Sequence, residues 1–323
     1  MAMESKYIWM DGELVEFEKA TVHFLTPALH YGVAVFEGIR AYNTGQGPAV
    51  FRLQEHSQRL LDSARVLGFR NLPYSVEQVA EAIKQVVRVN DFGDCYIRPL
   101  LYLSGGGWNL NVDGGKPSLA IAAWEWGNYL GEEARKKGIR ANISSFTRHQ
   151  PNIMMTKAKI SGNYANSVLA KTESVRLGFD EAIMLDAQGF VAECTGENIF
   201  LVYKGRILTP PLVDILEGIT RESLITIARD MGYEVVEAPI SRDQLYIADE
   251  VFVCGTAAEV IGLREIDFRV IGNGATGPVT TAIQQAFHAA IRGQEPRYAH
   301  WLAHVADSQM PIEATQSASV AAD

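Results

Sequence analysis

The hydrophobic and polar positions in the first half of the chain predict a hairpin, two amphipathic helices and two buried strands. An Asp11-Gly12 turn between short apolar runs is typical of a tight hairpin. Apolar side chains recur at helical spacing over residues 54–67, and Ser75 opens a second helical pattern as a capping box with Gln78. Continuous apolar stretches predict buried strands at two places, 95–103 and 118–126.

The second half of the chain mixes short strands with longer helices. A helix that reaches Leu177 precedes a meander of short strands, and further helices begin at Thr220 and Pro278. This order lacks the repeated strand–helix–strand alternation of a parallel α/β sheet, so we expect an α+β fold with two domains. We predict a smaller α+β domain at 1–127, a linker at 128–137 where the apolar pattern lapses, a larger α+β domain at 138–307, and a disordered tail at 308–323.

Charge and composition exclude several classes of protein. The chain of 323 residues has a net charge of −9 and no basic run, which argues against a nucleic-acid partner. No apolar run approaches the ~20 residues needed to cross a membrane, and the start is unlike a signal peptide, so we expect no membrane partner and a cytoplasmic location. The three widely spaced cysteines fit a reduced compartment without disulfides.

Two patterns that suggest other chemistry are weak. Residues 272–277 match the dinucleotide-binding pattern G-x-G-x-x-G, but no second strand with an acidic residue follows them. We therefore expect a tight loop before the last helix. The histidine pairs His23/His30 and His300/His304 have no accompanying acid motif, so no metal site is predicted.

A lysine pair near the middle of the chain is the first candidate for chemistry. Lys157 and Lys159 stand two residues apart, shortly before a Gly-Asn-Tyr sequence. If residues 157–160 are extended, both lysines point the same way, so spacing alone does not choose between them. Solvated lysines are the ordinary interpretation of an isolated Lys-x-Lys.

Other stretches supply two turns suited to an anion, a cation and an acid. Residues 218–221 and 255–259 resemble turns whose free N–H groups favour a phosphate. Arg59 provides a cation on an amphipathic helix, and Glu193 provides an acid between apolar neighbours. A lysine, an acid and a phosphate site are the parts that pyridoxal 5′-phosphate (PLP) requires. The lysine forms the Schiff base, and the acid keeps the pyridine nitrogen protonated.

The chain resembles the branched-chain amino-acid aminotransferases, a group of class IV aminotransferases with the fold-type IV architecture of PLP enzymes. The matching stretches extend in the family's order from about residue 7 to residue 302. They are His30-Tyr31-Gly32, Phe36-Glu37-Gly38-Ile39-Arg40, Tyr96-Ile97-Arg98-Pro99-Leu100, Trp126-Gly127-Asn128-Tyr129-Leu130-Gly131, Lys159 with Gly162-Asn163-Tyr164, Glu193 with Gly196-Glu197-Asn198-Ile199-Phe200, Thr209-Pro210-Pro211, Gly218-Ile219-Thr220-Arg221 and Gly255-Thr256-Ala257-Ala258-Glu259. Together they are specific, although no single stretch is.

The resemblance implies a role for each matching residue. Lys159 is implied to be the Schiff-base lysine and the base of the 1,3-proton shift, which leaves Lys157 as a solvated or ion-paired neighbour. The implied cofactor residues are Glu193 at the pyridine nitrogen, Tyr164 at the phenolic oxygen, and Arg59, Ile219, Thr220 and Thr256 at the phosphate. The implied substrate residues are Tyr96, Arg98 and the amides of Thr256 and Ala257 at the carboxylate, Phe36, Trp126 and Tyr129 in an apolar pocket, Gly38 beside the branch, and Tyr31 from the neighbouring subunit.

The function implied by this resemblance is amino-group exchange between leucine, isoleucine or valine and 2-oxoglutarate, in a homodimer or larger homo-oligomer. A D-amino-acid or (R)-amine transaminase shares the lysine, the glutamate and the phosphate loops and stays an alternative, as does a lyase acting on an aminated chorismate. From a different class, a non-catalytic PLP-fold binding protein also stays open. The glycine-rich loop at 105–111 and the tail at 308–323 depart from the family pattern, so the resemblance assigns them no role.

Overall fold

The computed structural model of the chain describes residues 5–105, 110–126 and 131–307. The strands are β1 (Tyr7–Met10), β2 (Glu13–Glu16), β3 (Ala34–Phe36), β4 (Ile39–Thr44), β5 (Gly47–Phe51), β6 (Cys95–Gly105), β7 (Lys116–Glu125), β8 (Ile139–Ile143), β9 (Glu181–Leu185), β10 (Val191–Cys194), β11 (Asn198–Tyr203), β12 (Arg206–Thr209), β13 (Val235–Glu237), β14 (Glu250–Gly255), β15 (Glu259–Ile266), β16 (Arg269–Val270) and β17 (Leu302–His304). The α-helices are α1 (Pro27–Tyr31), α2 (Leu53–Val66), α3 (Val76–Val89), α4 (Gly131–Lys137), α5 (Tyr164–Arg176), α6 (Ile219–Asp230), α7 (Arg242–Tyr246) and α8 (Pro278–Ile291). None of the helices in these ranges is long and apolar enough to cross a membrane.

The described residues form two compact units, and the segment with Lys159 belongs to the first. The first unit contains residues 5–105, 110–126, 158–162 and 300–307, and the second contains 131–157 and 163–299. This division differs from the predicted domains at 158–162 and after residue 299, both of which were predicted to lie in the larger domain.

An eight-stranded antiparallel sheet organises the first unit. Its strands are hydrogen-bonded in the order β17-β5-β4-β6-β7-β1-β2, and β3 pairs with β6. Leu60 of α2 and Ile83 of α3 are fully buried in one core with Ile97 of β6. The predicted capping box forms, because Ser75 N donates to Gln78 Oε1 at 2.8 Å and Gln78 N to Ser75 Oγ at 3.3 Å. The two predicted helices and the two predicted strands are confirmed here.

Backbone hydrogen bonds hold residues 158–162 in the first unit. Phe36 N donates to Lys159 O at 3.0 Å, and Gly162 N donates to Gly32 O at 3.3 Å. Gly32 has a φ of +65°, and a Cβ atom at this position would lie 2.8 Å from the Cα of Gly162. Glycine is therefore required at Gly32 both by its left-handed backbone and by the close approach of the second chain segment.

The extended strand considered for residues 157–160 is not formed. Lys157 lies in a turn and belongs to the second unit. Within the segment, Ile160 forms an isolated β-bridge, with Val35. The premise that the two lysines share one strand face is therefore wrong.

A nine-stranded mixed sheet organises the second unit. The strand order is β10-β9-β8-β15-β14-β11-β12-β13, with β16 paired to β15. β8 is parallel to both β9 and β15, and β12 is parallel to β13. Ile183, Leu201 and Val253 are fully buried in the core of this unit. Both units combine a sheet with helices, as expected for an α+β protein.

Part of the predicted linker is helical. Residues 131–137 form α4, in which Lys137 Nζ lies 2.6 Å from Glu133 Oε1 one turn earlier. This pairing and the basic side chains of the last turn suit the helix dipole, and Ala134 packs against the core of the second unit. Residues 128–130, residues 106–109 of the glycine-rich loop, and the predicted tail at 308–323 lie outside the described residues.

The glycines at 272–277 form a loop before α8, as predicted. Gly272 has a φ of +53°, which favours glycine. The carboxylate of Glu250 accepts hydrogen bonds from the first-turn amides of Val279 at 2.9 Å and Thr280 at 2.7 Å. Because a protein carboxylate already occupies these amides, this helix start does not offer them to a nucleotide phosphate.

Candidate active site

Lys159 is fixed through its backbone in the first unit. Its N–H donates to Ser63 Oγ of α2 at 3.0 Å, and its carbonyl accepts from Phe36. The neighbours Ala158 and Ile160 are 3% and 6% exposed, so the chain is anchored on both sides of the lysine. The Nζ atom of Lys159 lies 4.9 Å from the centre of the Phe36 ring. The backbone contacts therefore fix the position of Lys159, and its amine lies against the Phe36 ring.

A guanidinium lies over the same aromatic ring. Arg98 of β6 has its Cζ atom 4.7 Å from the centre of the Phe36 ring, and its Nη2 donates to Tyr96 Oη at 2.9 Å. The Tyr96 ring is in turn 5.0 Å from the ring of Trp126. Arg98 Nε is buried and has no hydrogen-bond partner among the described residues. A buried donor without a partner is unusual and fits a site that is completed by an anionic ligand.

Gly38 lies directly against Tyr96. A Cβ atom at Gly38 would be 2.2 Å from Tyr96 Oη. Tyr96 is 5% exposed, so its hydroxyl has little room to move away. The structure therefore gives a physical reason for glycine at this position, which is contact with Tyr96.

Arg59 of α2 is paired with a buried acid. Its Nε donates to Glu37 Oε1 at 2.6 Å and its Nη2 donates to Glu37 Oε2 at 2.9 Å, a two-point contact. Burial raises the pKa of the Glu37 carboxyl, but the charge of Arg59 and the hydrogen bonds from His56 and Arg59 outweigh burial and hold that pKa well below its ordinary range. Glu37 is therefore ionised and orients the guanidinium.

His56, one turn before Arg59, contacts the same carboxylate. Its Nδ1 lies 2.7 Å from Glu37 Oε2. Burial lowers the pKa of His56, and the opposing effect of Glu37 does not restore it. A neutral His56 donates one hydrogen bond to Glu37 and adds no second positive charge beside Arg59.

In the second unit, Glu193 of β10 is buried and paired with Arg148. The distance from Arg148 Nη2 to Glu193 Oε1 is 2.8 Å, and the side chains are 9% and 7% exposed. Asn198 Nδ2 donates to Glu193 Oε2 at 3.1 Å, and the backbone N–H of Leu216 approaches the same oxygen at 3.3 Å. Glu193 is thus a carboxylate held on three sides by hydrogen-bond donors.

The start of α6 lies beside the same group of residues. Asn198 Nδ2 also donates to Leu216 O at 3.2 Å, and a Cβ atom at Gly218 would lie 1.9 Å from Asn198 Oδ1. Gly218 is the N-cap of α6 and provides no side-chain cap to the first-turn amides. The amides of Ile219 and Thr220 therefore lie in a helix start suited to an anion.

The other predicted residues of the second unit lie at the ends of its elements. Thr256 and Ala257 follow β14, and Tyr164 is the first residue of α5. At the end of β14, a Cβ atom at Gly255 would lie 3.1 Å from Gly196 O. The loops that follow β10 and β14 therefore lie close together.

The side chain of Lys157 is bound to backbone carbonyls. Its Nζ donates to the carbonyl oxygens of Leu212 at 2.7 Å and Ile215 at 3.0 Å. Burial lowers its pKa, while the nearby carboxylates of Glu217 and Glu193 oppose that effect. This agrees with its predicted role as a neighbour, with backbone carbonyls as its main partners.

Tyr31 and Tyr129 complete the predicted set. Tyr31 ends α1 and is 43% exposed. Tyr129 lies outside the described residues. The first unit brings together Lys159, Phe36, Arg98, Tyr96, Trp126 and Gly38, and the second brings together Glu193 and the start of α6.

Comparison with known proteins identifies the family. Residues 34–266 match the family model of the class IV amino-transferases. A branched-chain-amino-acid aminotransferase of Pseudomonas aeruginosa is 49% identical over 301 residues, which is 93% of this chain and 98% of the relative. This chain belongs to the class IV aminotransferases. The branched-chain-amino-acid aminotransferase of Escherichia coli K12 is 45% identical over 304 residues, 94% of this chain and 98% of the relative.

Solved structures of the family have the same fold as this aminotransferase. The branched-chain amino acid aminotransferase of Escherichia coli superposes with a TM-score of 0.91 at 45% identity, covering 94% of this chain and 100% of the other. That of Thermobaculum terrenum, solved in its PLP form, gives 0.88 at 34% identity, over 94% of this chain and 99% of the other. The predicted family resemblance and α+β fold-type IV class are therefore confirmed.

The structure also shows partners of this aminotransferase's site residues that the sequence did not reveal. They are Glu37 and His56 beside Arg59, and Arg148 and Asn198 beside Glu193. The signal that could have found them is weak: Glu37 stands in an apolar run, where a charged side chain needs a partner. Which residue supplies that partner depends on tertiary contacts.

Proposed function

We propose that this class IV aminotransferase exchanges the amino group between branched-chain L-amino acids (leucine, isoleucine and valine) and 2-oxoglutarate, with PLP as its cofactor. The observation that carries the proposal is the Phe36 ring, with Lys159 Nζ 4.9 Å and Arg98 Cζ 4.7 Å from its centre. An amine, an apolar surface and a guanidinium are the groups needed to react with an apolar amino acid and bind its carboxylate.

The residues present fit PLP. Gly218 leaves the first-turn amides of α6 without a side-chain cap, so Ile219 and Thr220 would bind the phosphate, for which the family resemblance also names Arg59 and Thr256. Glu193 is a buried acid suited to the pyridine nitrogen. By the family resemblance, Tyr164 would contact the phenolic oxygen of PLP. PLP, when bound, supplies an electron sink for the bond that is broken at the substrate Cα.

Lys159 carries the cofactor and moves the proton. Its amine would take the proton from the substrate Cα and release it two atoms away, across the substrate nitrogen, so one residue would serve as base and then as acid. Backbone contacts to Ser63 and Phe36 hold Lys159 in place for both transfers. The Phe36 ring covers one side of the amine.

Substrate selection depends on the Arg98 guanidinium and the aromatic side chains beside it. By the family resemblance, Arg98 and Tyr96, with the amides of Thr256 and Ala257, would orient the carboxylate, while Phe36, Trp126 and Tyr129 would contact the apolar side chain. Gly38 keeps Tyr96 in place beside the branch of the substrate. The same cation accommodates the second carboxylate of glutamate, which an apolar pocket alone would reject.

The proposal includes a homodimer or larger homo-oligomer in the cytoplasm. Phe24, Leu29 and Tyr31 are 74%, 61% and 43% exposed, and exposed apolar side chains close together in sequence support a subunit contact to which Tyr31 contributes. Cys95, Cys194 and Cys254 are buried free thiols, which supports a reducing compartment.

The reaction is tested first through the cofactor. The purified protein is expected to show visible absorbance with PLP, and Lys159→Ala is expected to lose the lysine-dependent band, whereas the matched control Lys157→Ala keeps it. Retention of the band in Lys159→Ala would exclude Lys159 as the attachment site.

Single-turnover spectra then decide the substrate. We expect L-leucine to discharge the visible band, and D-alanine and (R)-1-phenylethylamine to leave it unchanged. Discharge by D-alanine but not by L-leucine would replace the branched-chain assignment with a D-amino-acid transaminase.

A further inference from the structure

Arg148 is a buried cation beside the acid of the second unit. It follows β8, and its backbone N–H donates to Leu185 O of β9 at 2.8 Å. Its Nη2 is 2.8 Å from Glu193 Oε1, and its side chain is 9% exposed. Its Nε is buried with no hydrogen-bond partner in the described part of the chain. The backbone of Arg148 is therefore fixed to the end of β9, and its side chain makes a buried contact with Glu193.

Two further groups that contact Glu193 are neutral. Asn198 contributes an amide and Leu216 a backbone N–H. The adjacent His149 has its pKa lowered to about 4, by burial first and by the charge of Arg148 second, so it is uncharged at neutral pH. Burial lowers the pKa of Lys157, and the charge of Glu193 is among the effects that oppose it, but the Nζ of Lys157 donates to the backbone carbonyls of Leu212 and Ile215. Arg148 thus brings a positive charge into direct contact with Glu193.

A carboxylate in such a place is costly without a cation. Burial favours the neutral acid, which donates a hydrogen bond, and a neutral acid cannot form an ion pair with a protonated pyridine nitrogen. A guanidinium in contact favours the ionised form and also fixes the rotamer through a directed N–H···O bond. Both effects bear on the acid that receives the pyridine nitrogen in the proposed function.

We propose that Arg148 is the positioning residue for Glu193, holding that carboxylate ionised and oriented for the pyridine nitrogen of PLP. The inference rests on the proposed function, since it assigns Glu193 to the cofactor. Arg148 acts through Glu193 alone and does not contact the substrate. Its loss should therefore lower kcat and cofactor affinity while leaving the KM for L-leucine almost unchanged.

A double-mutant cycle tests this action through Glu193. The variants are Arg148→Gln, Glu193→Gln and the double variant, with Arg140→Gln as the matched control, an arginine of β8 that is paired with Glu265 and 28% exposed. We measure the dissociation constant for PLP added to the apoprotein, and kcat and KM with L-leucine. Arg148→Gln is expected to weaken PLP binding and lower kcat by about tenfold each, as removal of a charged orienting partner does. In the Glu193→Gln background the same substitution should change either value by less than about twofold.

Fold loss is separated from positioning by the conservative variant. Arg148→Lys keeps a cation and is expected to recover at least part of the lost PLP affinity, whereas Arg148→Gln does not. Equal, additive losses from Arg148→Gln in the wild-type and Glu193→Gln backgrounds would overturn the inference, as would a change in KM alone. If wild-type protein binds PLP but does not turn over L-leucine, the proposed substrate fails, and the PLP dissociation constants still decide the role of Arg148.

Discussion

The carboxylate of Glu37 accepts hydrogen bonds from two nitrogens of Arg59, at 2.6 and 2.9 Å, and is itself fully buried. This two-point contact through Nε and Nη2 fixes the orientation of the guanidinium. Glu37 therefore orients the Arg59 guanidinium independently of any ligand.

Replacement of Glu37 by glutamine tests whether the acid orients Arg59. Removing one charge of a buried pair leaves the other uncompensated, so we expect the free energy of unfolding to fall by on the order of 3 kcal/mol. PLP affinity should also fall, by roughly tenfold, which corresponds to about 1.4 kcal/mol. Urea unfolding and PLP titration of the apoprotein measure both. The control is Glu55→Gln, whose 44%-exposed carboxylate pairs with Arg52 and should matter by less than about 1 kcal/mol. Wild-type PLP affinity in Glu37→Gln would show that Arg59 needs no orienting acid.

Gly38→Ala tests the contact with Tyr96. The added methyl would lie 2.2 Å from Tyr96 Oη, so the tyrosine must move, and Arg98 with it, because the two are hydrogen-bonded. We expect kcat/KM for L-leucine to fall by about tenfold to a hundredfold, as displaced orienting groups commonly cause. Gly45→Ala is the matched control, since nothing lies within 4 Å of its Cβ position. Equal activity of both variants would contradict the required fit.

Glu250→Ala tests the cap of α8. Glu250 accepts hydrogen bonds from the amides of Val279 and Thr280 and from Thr280 Oγ1, at 2.6–2.9 Å. Losing this cap should lower the free energy of unfolding by about 2 kcal/mol and leave kcat at 25 °C unchanged. Thermal unfolding measures the effect, with Glu234→Ala as a surface control whose side chain is 64% exposed. An unchanged unfolding midpoint in Glu250→Ala would mean that other groups satisfy these amides.

Glu197 should make stability depend on pH. Burial first, and then the carboxylate of Glu181, raise the pKa of Glu197 from 4.5 to about 8. Between these values the folded state keeps a proton that the unfolded state has lost, so the stability present at low pH is lost as the pH rises through about 8. The slope reaches at most about 1.4 kcal/mol per pH unit.

Urea unfolding at pH 5, 6.5 and 8 measures this dependence. Glu197→Gln cannot titrate and should flatten it, whereas Glu133→Gln, at an exposed position on α4, should not. The same slope in Glu197→Gln as in the wild type would assign the proton to another group.

Local features of the sequence predicted the local structure well. The hairpin of β1 and β2 turns at Asp11-Gly12, and the capping box at Ser75 starts α3. Each of these depends on residues that are close in sequence, so the backbone has few alternatives. The helix α4 was missed because it carries a high share of charged side chains, and its packing through Ala134 on the second core depends on tertiary contacts.

Pairings between distant residues were beyond the sequence alone. Glu37 and Arg59 are 22 residues apart, and the packing of α2 against β3 determines that they meet. The setting of Lys159 depends equally on its contacts with Ser63 and Phe36, which lie far from it in sequence. The family resemblance predicted which residues form the site, whereas their partners became known only from the structure.

The discontinuity of the first unit has a consequence for synthesis on the ribosome. β5 (Gly47–Phe51) emerges early, yet β17 (Leu302–His304), its antiparallel partner, is among the last described residues to be translated. Until then the outer edge of β5 has exposed backbone groups that can pair with other chains. The first unit therefore stays incomplete until residues 302–304 have been translated, and a nascent chain that lacks them has an open edge at β5.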